Sequence, residues 1–192
     1  MDRFNYDSYC GIYCGACDIM ISYQSGKKSR LGSFWNESAV KKLHRGLGLD
    51  YDNTRPFELK CNGCKTGTLF VNCRVCSIRK CAIDKKIRHC IDCGEYPCKT
   101  ISESDKMSFF LPHLKCKHAN MEKIKNDGVN RWLSEQNKRW KCPECSRNFS
   151  WYSAKCGGCG ADLRKYSYKY SFIKSLILKA GIYLMSLRGK KS

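Results

Sequence analysis

The chain has 192 residues, 16 of them cysteine, and its 36 Lys and Arg against 17 Asp and Glu give a formal charge of +19. That length permits one or two domains. With the cysteines set aside, the remaining apolar residues, 23 of them aromatic, support only small local cores that need staples. A secreted disulfide scaffold is disfavoured: the segment 1–7 carries no apolar leader. Cys-x-x-Cys pairs also close loops too short to constrain an unfolded chain much.

Twelve cysteines fall in six such pairs, at 14/17, 61/64, 73/76, 90/93, 142/145 and 156/159. One tight turn then aims two sulfurs at one ion, and two turns complete a four-thiolate cage. With Cys10, Cys81, Cys98 and Cys116 the total is divisible by four, so all sixteen are candidate metal ligands. Each four-thiolate Zn²⁺ site carries about −2, so four would lower the charge to roughly +11. The protein stays basic, which favours an anionic partner.

Taken in chain order, residues 1–100 read as a Cys-rich multi-metal domain that opens on Cys10-x3-Cys14-x2-Cys17 and the apolar stretch Ile19–Ile21. From Ser33, an expected N-cap, Trp35, Ala39, Val40, Leu43 and Leu47 recur at helical spacing until Gly46 and Gly48 end the run. Residues 50–56 read as a loop. Cys73-x2-Cys76-x4-Cys81 then recurs as Cys90-x2-Cys93-x4-Cys98, with a short helix expected around Ile78–Ile83. Residues 101–139 form a connector that includes two helices broken at Asn126-Asp127-Gly128. The second helix sets Val129, Trp132, Leu133, Gln136 and Trp140 on one face. A zinc ribbon is expected over 140–165 and a basic amphipathic helix over 166–192. The fold class is therefore a small metal-stapled α+β chain, with short helices in Cys-rich modules and a C-terminal zinc-ribbon hairpin.

The run Cys10-Gly-Ile-Tyr-Cys14-Gly-Ala-Cys17, followed by Cys61-x2-Cys64, Cys73-x2-Cys76-Ser-Ile-Arg-Lys-Cys81 and Cys90-x2-Cys93-Gly-Glu-Tyr-Pro-Cys98, resembles one family. It is the cysteine-rich group of bacteria and archaea termed domain of unknown function 3795, and the resemblance covers roughly residues 6–130. It implies a prokaryotic cytoplasmic setting and assigns no chemistry.

Cys142-Pro-Glu-Cys145 and Cys156-Gly-Gly-Cys159 have the form of two ribbon knuckles. Their turns point backbone N–H groups at the sulfurs, and protein ligands fill all four positions, as in a structural zinc site. Rubredoxin-like iron uses similar knuckles. In the centre, Cys61, Cys64, Cys73 and Cys76 make a second zinc-type cage. The two Cys triplets of the repeat could instead each hold an iron–sulfur cluster such as [4Fe–4S]. The spacing of Cys10, Cys14 and Cys17 equals that of radical S-adenosylmethionine enzymes. Ala16 stands where those enzymes carry an aromatic, however, and the chain has too few residues for their partial barrel. The trio then joins a later cysteine in a structural site.

Cys116 is either a further ligand or a free thiol activated by His113, His118 and two lysines. His113 and His118 are candidate substitute ligands, while His44 and His89 read as surface residues or sulfur-site neighbours. No carboxylate pair, phosphate loop or Ser/His/Asp set marks a catalytic site.

In the tail, Phe172, Ile173, Leu176, Ile177, Ala180, Tyr183, Leu184 and Leu187 share one helical face, and Leu178, Ile182 and Met185 add a second apolar strip. Sixteen residues reach about 24 Å, too short for a bilayer core of about 30 Å. The helix is expected to attach to a protein partner or lie on a membrane surface, with no transmembrane span. Functionally, the residues point to a metal-binding adaptor or binding module with mainly structural zinc sites. One alternative is a nucleic-acid-binding ribbon, whose Arg131, Lys138, Arg139, Lys141, Arg147, Lys155, Arg164 and Lys165 flank Trp140, Phe149, Trp151 and Tyr152. The other is iron–sulfur electron transfer.

Overall fold

Short helices joined by tight turns carry almost all the regular structure. The computed structural model describes residues 3–26, 36–169 and 171–188. The helices are α1 (Asp18–Ser25), α2 (Glu37–Gly46), α3 (Val71–Arg74), α4 (Ser77–Asp84), α5 (Lys99–Lys106), α6 (Lys117–Asp127), α7 (Val129–Arg139) and α8 (Phe172–Arg188). Cysteines sit at their starts: Cys17, Cys76, Cys98 and Cys116 are the residues before α1, α4, α5 and α6.

The expected ends largely hold. α1 stops at Gly26, which adopts the left-handed conformation that glycine takes without strain. α6 and α7 meet at Gly128, as the Asn-Asp-Gly break implies. The N-cap of α2 is Asn36, whose Oδ1 accepts the Ala39 amide at 2.9 Å. The N-cap expected at Ser33, and Trp35, lie outside the described residues.

The β half of the expected α+β class shrinks to two isolated antiparallel bridges among the described residues, Lys141 with Asn148 and Lys155 with Asp162. Each bridge closes one knuckle turn upon itself. The ten residues between the knuckles are spent on packing, and no ladder forms between them. Phe149 is buried, and the Trp151 amide donates at 3.1 Å to the carbonyl of Ala16 in the N-terminal cysteine loop.

That bond is one of several that merge the ribbon with the rest. A single buried cluster runs through Tyr13, Ala16, Ile78, Cys90, Ile101, Met121, Ile124, Trp132, Trp140, Phe149 and Leu163. Trp132, fully buried on α7, meets the Tyr13 ring edge-on at 6.1 Å. Asn120 on α6 donates at 2.7 Å to the carbonyl of Gly11. The face expected on α7 is thus the core face. A second, smaller cluster gathers Ile19, Val40, Leu69, Phe70 and Val71 around Cys61.

α8 lies along α2. Of the first face expected for it, Ile173, Leu176, Ile177, Tyr183 and Leu184 are exposed. No helix among the described residues is long and apolar enough to cross a membrane.

Candidate metal centre

The four cysteines of the ribbon converge. Cys142 and Cys159 place their sulfurs 3.7 Å apart, Cys145 and Cys156 place theirs 3.5 Å apart, and all four fall within 4.8 Å of one another. The knuckles are built alike. In the first, the Cys142 amide donates to the Arg147 carbonyl at 2.9 Å and the Ser146 amide to the Cys142 carbonyl at 2.9 Å. In the second, Cys156 bonds Ala161 at 2.8 Å and Gly160 bonds Cys156 at 3.1 Å. Ser146 and Gly160 occupy equivalent positions, and both have positive φ, 57° and 80°. The left-handed residue turns the chain back over its own sulfurs.

These turns also supply charge stabilisation. The Gly158 amide points at the Cys156 sulfur at 3.4 Å. Burial alone would raise the Cys156 thiol. The amides of Cys159 and Gly158 and bonds from Cys145 and Cys142 bring it down to about 6. A thiolate held at neutral pH among three neighbouring thiols is a ready ligand for a soft cation. Two of the four, Cys142 and Cys156, are buried, while Cys145 and Cys159 face solvent.

Among the described residues, no other set of three cysteines brings its sulfurs within 4.8 Å of one another. The thiols of Cys61 and Cys73 are hydrogen-bonded, with Cys17 and Cys14 near Cys73. Cys10 and Cys76 lie near Cys64. Cys14 lies near Cys64, Cys17 and Cys61. Cys81, Cys90, Cys93 and Cys98 line a cavity of about 20 Å³, and Cys10 lies near Cys90. Burial pushes the thiols of Cys17, Cys64 and Cys90 up to about 12. Such thiols do not ionise alone, so only a bound cation would hold them as thiolates.

Cys116 is not brought to these groups. Its thiol donates to the carbonyl of His113 at 3.0 Å, and its neighbours are Tyr168, Arg139 and Asn120. Burial raises it, the reverse of the activation expected from nearby imidazoles. His113 is occupied elsewhere: its ring stacks on Trp151 at 4.0 Å and its Nδ1 meets the Tyr152 hydroxyl at 2.5 Å. Burial drives it down to about 3, so it is neutral. His118 pairs with Tyr96 at 2.7 Å and Asp105 at 2.8 Å. His44 is a correction, since it is buried rather than on the surface and bonds Asn72 at 2.9 Å.

Reading the sequence missed the polar groups between the sulfurs. Asp7 accepts from Lys65 at 2.6 Å and approaches His89 Nε2 at 2.9 Å, with Asp7 and His89 both buried. Their signal was adjacency: Lys65 follows Cys64 and His89 precedes Cys90. Lys117, only 1% exposed, donates to Ser104 at 2.7 Å and Asp105 at 2.9 Å. Nothing in its local sequence marks it as buried.

Residues 6–103 match the model of a family described as proteins of unknown function, DUF3795. The chain belongs to that family. The match spans just over half of the chain and takes in the cysteines from Cys10 to Cys98, while Cys116 and the ribbon lie beyond it. No curated protein and no solved structure matches.

Proposed function

We propose that this family member is a metal-binding protein whose ribbon centre takes a structural zinc ion and whose role is that of an adaptor or binding module. The carrying observation is the pair of sulfur separations, 3.5 and 3.7 Å. A tetrahedral ion with Zn–S bonds of about 2.3 Å requires edges of about 3.8 Å. All four positions belong to the protein, so the centre is closed to a reacting water and serves as a clasp. Its place supports that role, because Cys142 and Cys156 belong to the same buried cluster as Tyr13 and Trp132.

Zinc content of the full chain tests this reading. Substituting the exposed Cys145→Ala should remove about one zinc per chain. Unchanged zinc would overturn the proposal, and a coloured, iron-loaded ribbon would replace zinc with rubredoxin-type iron.

The nucleic-acid reading is weakened in one respect. Trp140 and Phe149 are buried, Trp151 stacks on His113, and the Arg139 guanidinium lies over Trp140 and Tyr168. These aromatics are engaged within the protein. An anionic partner would meet this face through its cations.

A further inference from the structure

Cys81, Cys90, Cys93 and Cys98 come from four places in the chain: the body of α4, the turn at residues 90–92, the residue after it and the residue before α5. The structure gathers them around one cavity whose other walls include Ile78, Ala82, Ile87 and Ile101. This is a partition the sequence left open. The repeated triplets are not equivalent, because Cys81 leaves the first triplet to join the second. A water molecule there would need two to four polar partners. The cavity offers mostly hydrocarbon, and the phenol of Tyr96 is already engaged with His118. Sulfur is the chemistry facing inward, which selects a soft metal centre.

Spacing separates this site from the ribbon. No three of these four sulfurs lie within 4.8 Å of one another, the limit inside which all four ribbon sulfurs fall. Sulfurs set wider than the edges of about 3.8 Å that one tetrahedral ion requires suit a multi-iron body ligated at its outer corners. Lys85 adds a fitting charge: its Nζ lies 3.7 Å from the Cys93 sulfur, against the anionic ligand shell that such a body carries.

We propose that Cys81, Cys90, Cys93 and Cys98 form an iron–sulfur cluster site, distinct in metal from the zinc ribbon. The proposal rests on the metal-binding reading above but not on the ribbon's zinc. The full chain is purified anaerobically, incubated with ferric iron, sulfide and a thiol that reduces part of that iron, and analysed for iron, acid-labile sulfide and zinc. Wild type is expected to hold iron and sulfide in equal amounts and to absorb near 400 nm. Cys98→Ala should lose about two or four of each, according to cluster type, with zinc unchanged. Cys145→Ala should lose zinc and keep sulfide.

Wild type without labile sulfide overturns the proposal whatever the variants do. So does a Cys98→Ala protein that loses zinc in place of iron, or one that loses neither. Zinc retained in Cys145→Ala overturns only the ribbon reading. Lys85→Met, a change at a partly exposed side chain, guards against a folding defect. It should keep the iron and sulfide and shift the reduction potential to more negative values, since a cation that favours the reduced cluster has gone. An unchanged potential together with unchanged metal content places the cluster away from Cys93 and overturns the assignment.

Discussion

Single residues here are constrained by neighbours distant in sequence. Gly63 has φ of +117°, and a Cβ built on it would lie 1.8 Å from the carbonyl oxygen of Asn5. The clash is with backbone, which cannot swing away as a side-chain tip could. Gly63→Ala is expected to lower stability by about 1–3 kcal/mol from strain alone, read by thermal unfolding, and to disturb the sulfurs of Cys61 and Cys64 beside it. Lys117 is the second case. Its stem fills the core and its ammonium is satisfied by Ser104 and Asp105. Lys117→Ala should cost about 2–5 kcal/mol, the range for emptying a long buried side chain. Lys117→Met should cost less, because it keeps the volume without a buried donor.

Asp105 gives the same contact a pH dependence. Partial burial pushes its carboxyl up, but His118 and Lys117 outweigh that and hold it below 3.8. A depressed carboxyl stabilises the fold fully above its unfolded value. That contribution is lost as pH falls through the lower folded value. The stability difference between wild type and Asp105→Asn should therefore level off above about pH 5 and shrink as pH falls below it. A difference that grew with acid would contradict the sign.

At the scale of elements, the ribbon and α8 are opposites. The ribbon reads as a separate module in the sequence, yet its Trp151 amide bonds Ala16 and its Trp140 and Phe149 pack in the shared cluster. Loss of the ribbon metal in Cys145→Ala should therefore speed amide exchange at the Trp151 N–H as well as within the knuckles, as local opening spreads through shared contacts. Exchange confined to residues 142–160 would mean that the clasp does not hold the N-terminal loop. α8 lies along α2 and leaves Ile173 and Tyr183 in solvent. Deleting residues 171–192 should leave ribbon zinc and the environment of Trp132 unchanged, read by metal analysis and tryptophan fluorescence. A loss of zinc would make the helix part of the metal core.

Across the whole molecule, basic charge and cysteine sites act on different faces of one problem. The formal charge is +19, and two of its cations, Lys65 and Lys117, are turned inward onto Asp7 and Asp105. Any binding of single-stranded RNA by the full chain should therefore be electrostatic, weakening steeply with salt, with a logarithmic slope of about −0.7 per neutralised phosphate. Trp151→Ala, checked for intact folding, should leave that affinity unchanged. A large loss at fixed salt would establish base stacking and restore the ribbon as a nucleic-acid reader.

What the residues alone determined is local: the Cys-x-x-Cys turns, the helix break before Gly128, the knuckles at 142–145 and 156–159, and family membership. Each depends on backbone geometry within a few positions, or on a spacing pattern that is itself sequence. The surroundings of the N-terminal cysteines are set only in three dimensions. Cys64 lies near Cys10 and Cys76, Cys81 shares a cavity wall with Cys90, Cys93 and Cys98, and Cys116 packs beside Tyr168. The reason is physical. A two-residue spacer lets both sulfurs meet one centre, but it equally lets a turn or helix start aim them at two. Which occurs is set by how α3, α4 and α5 pack around the residues they bury, a balance of distant contacts that no local spacing encodes.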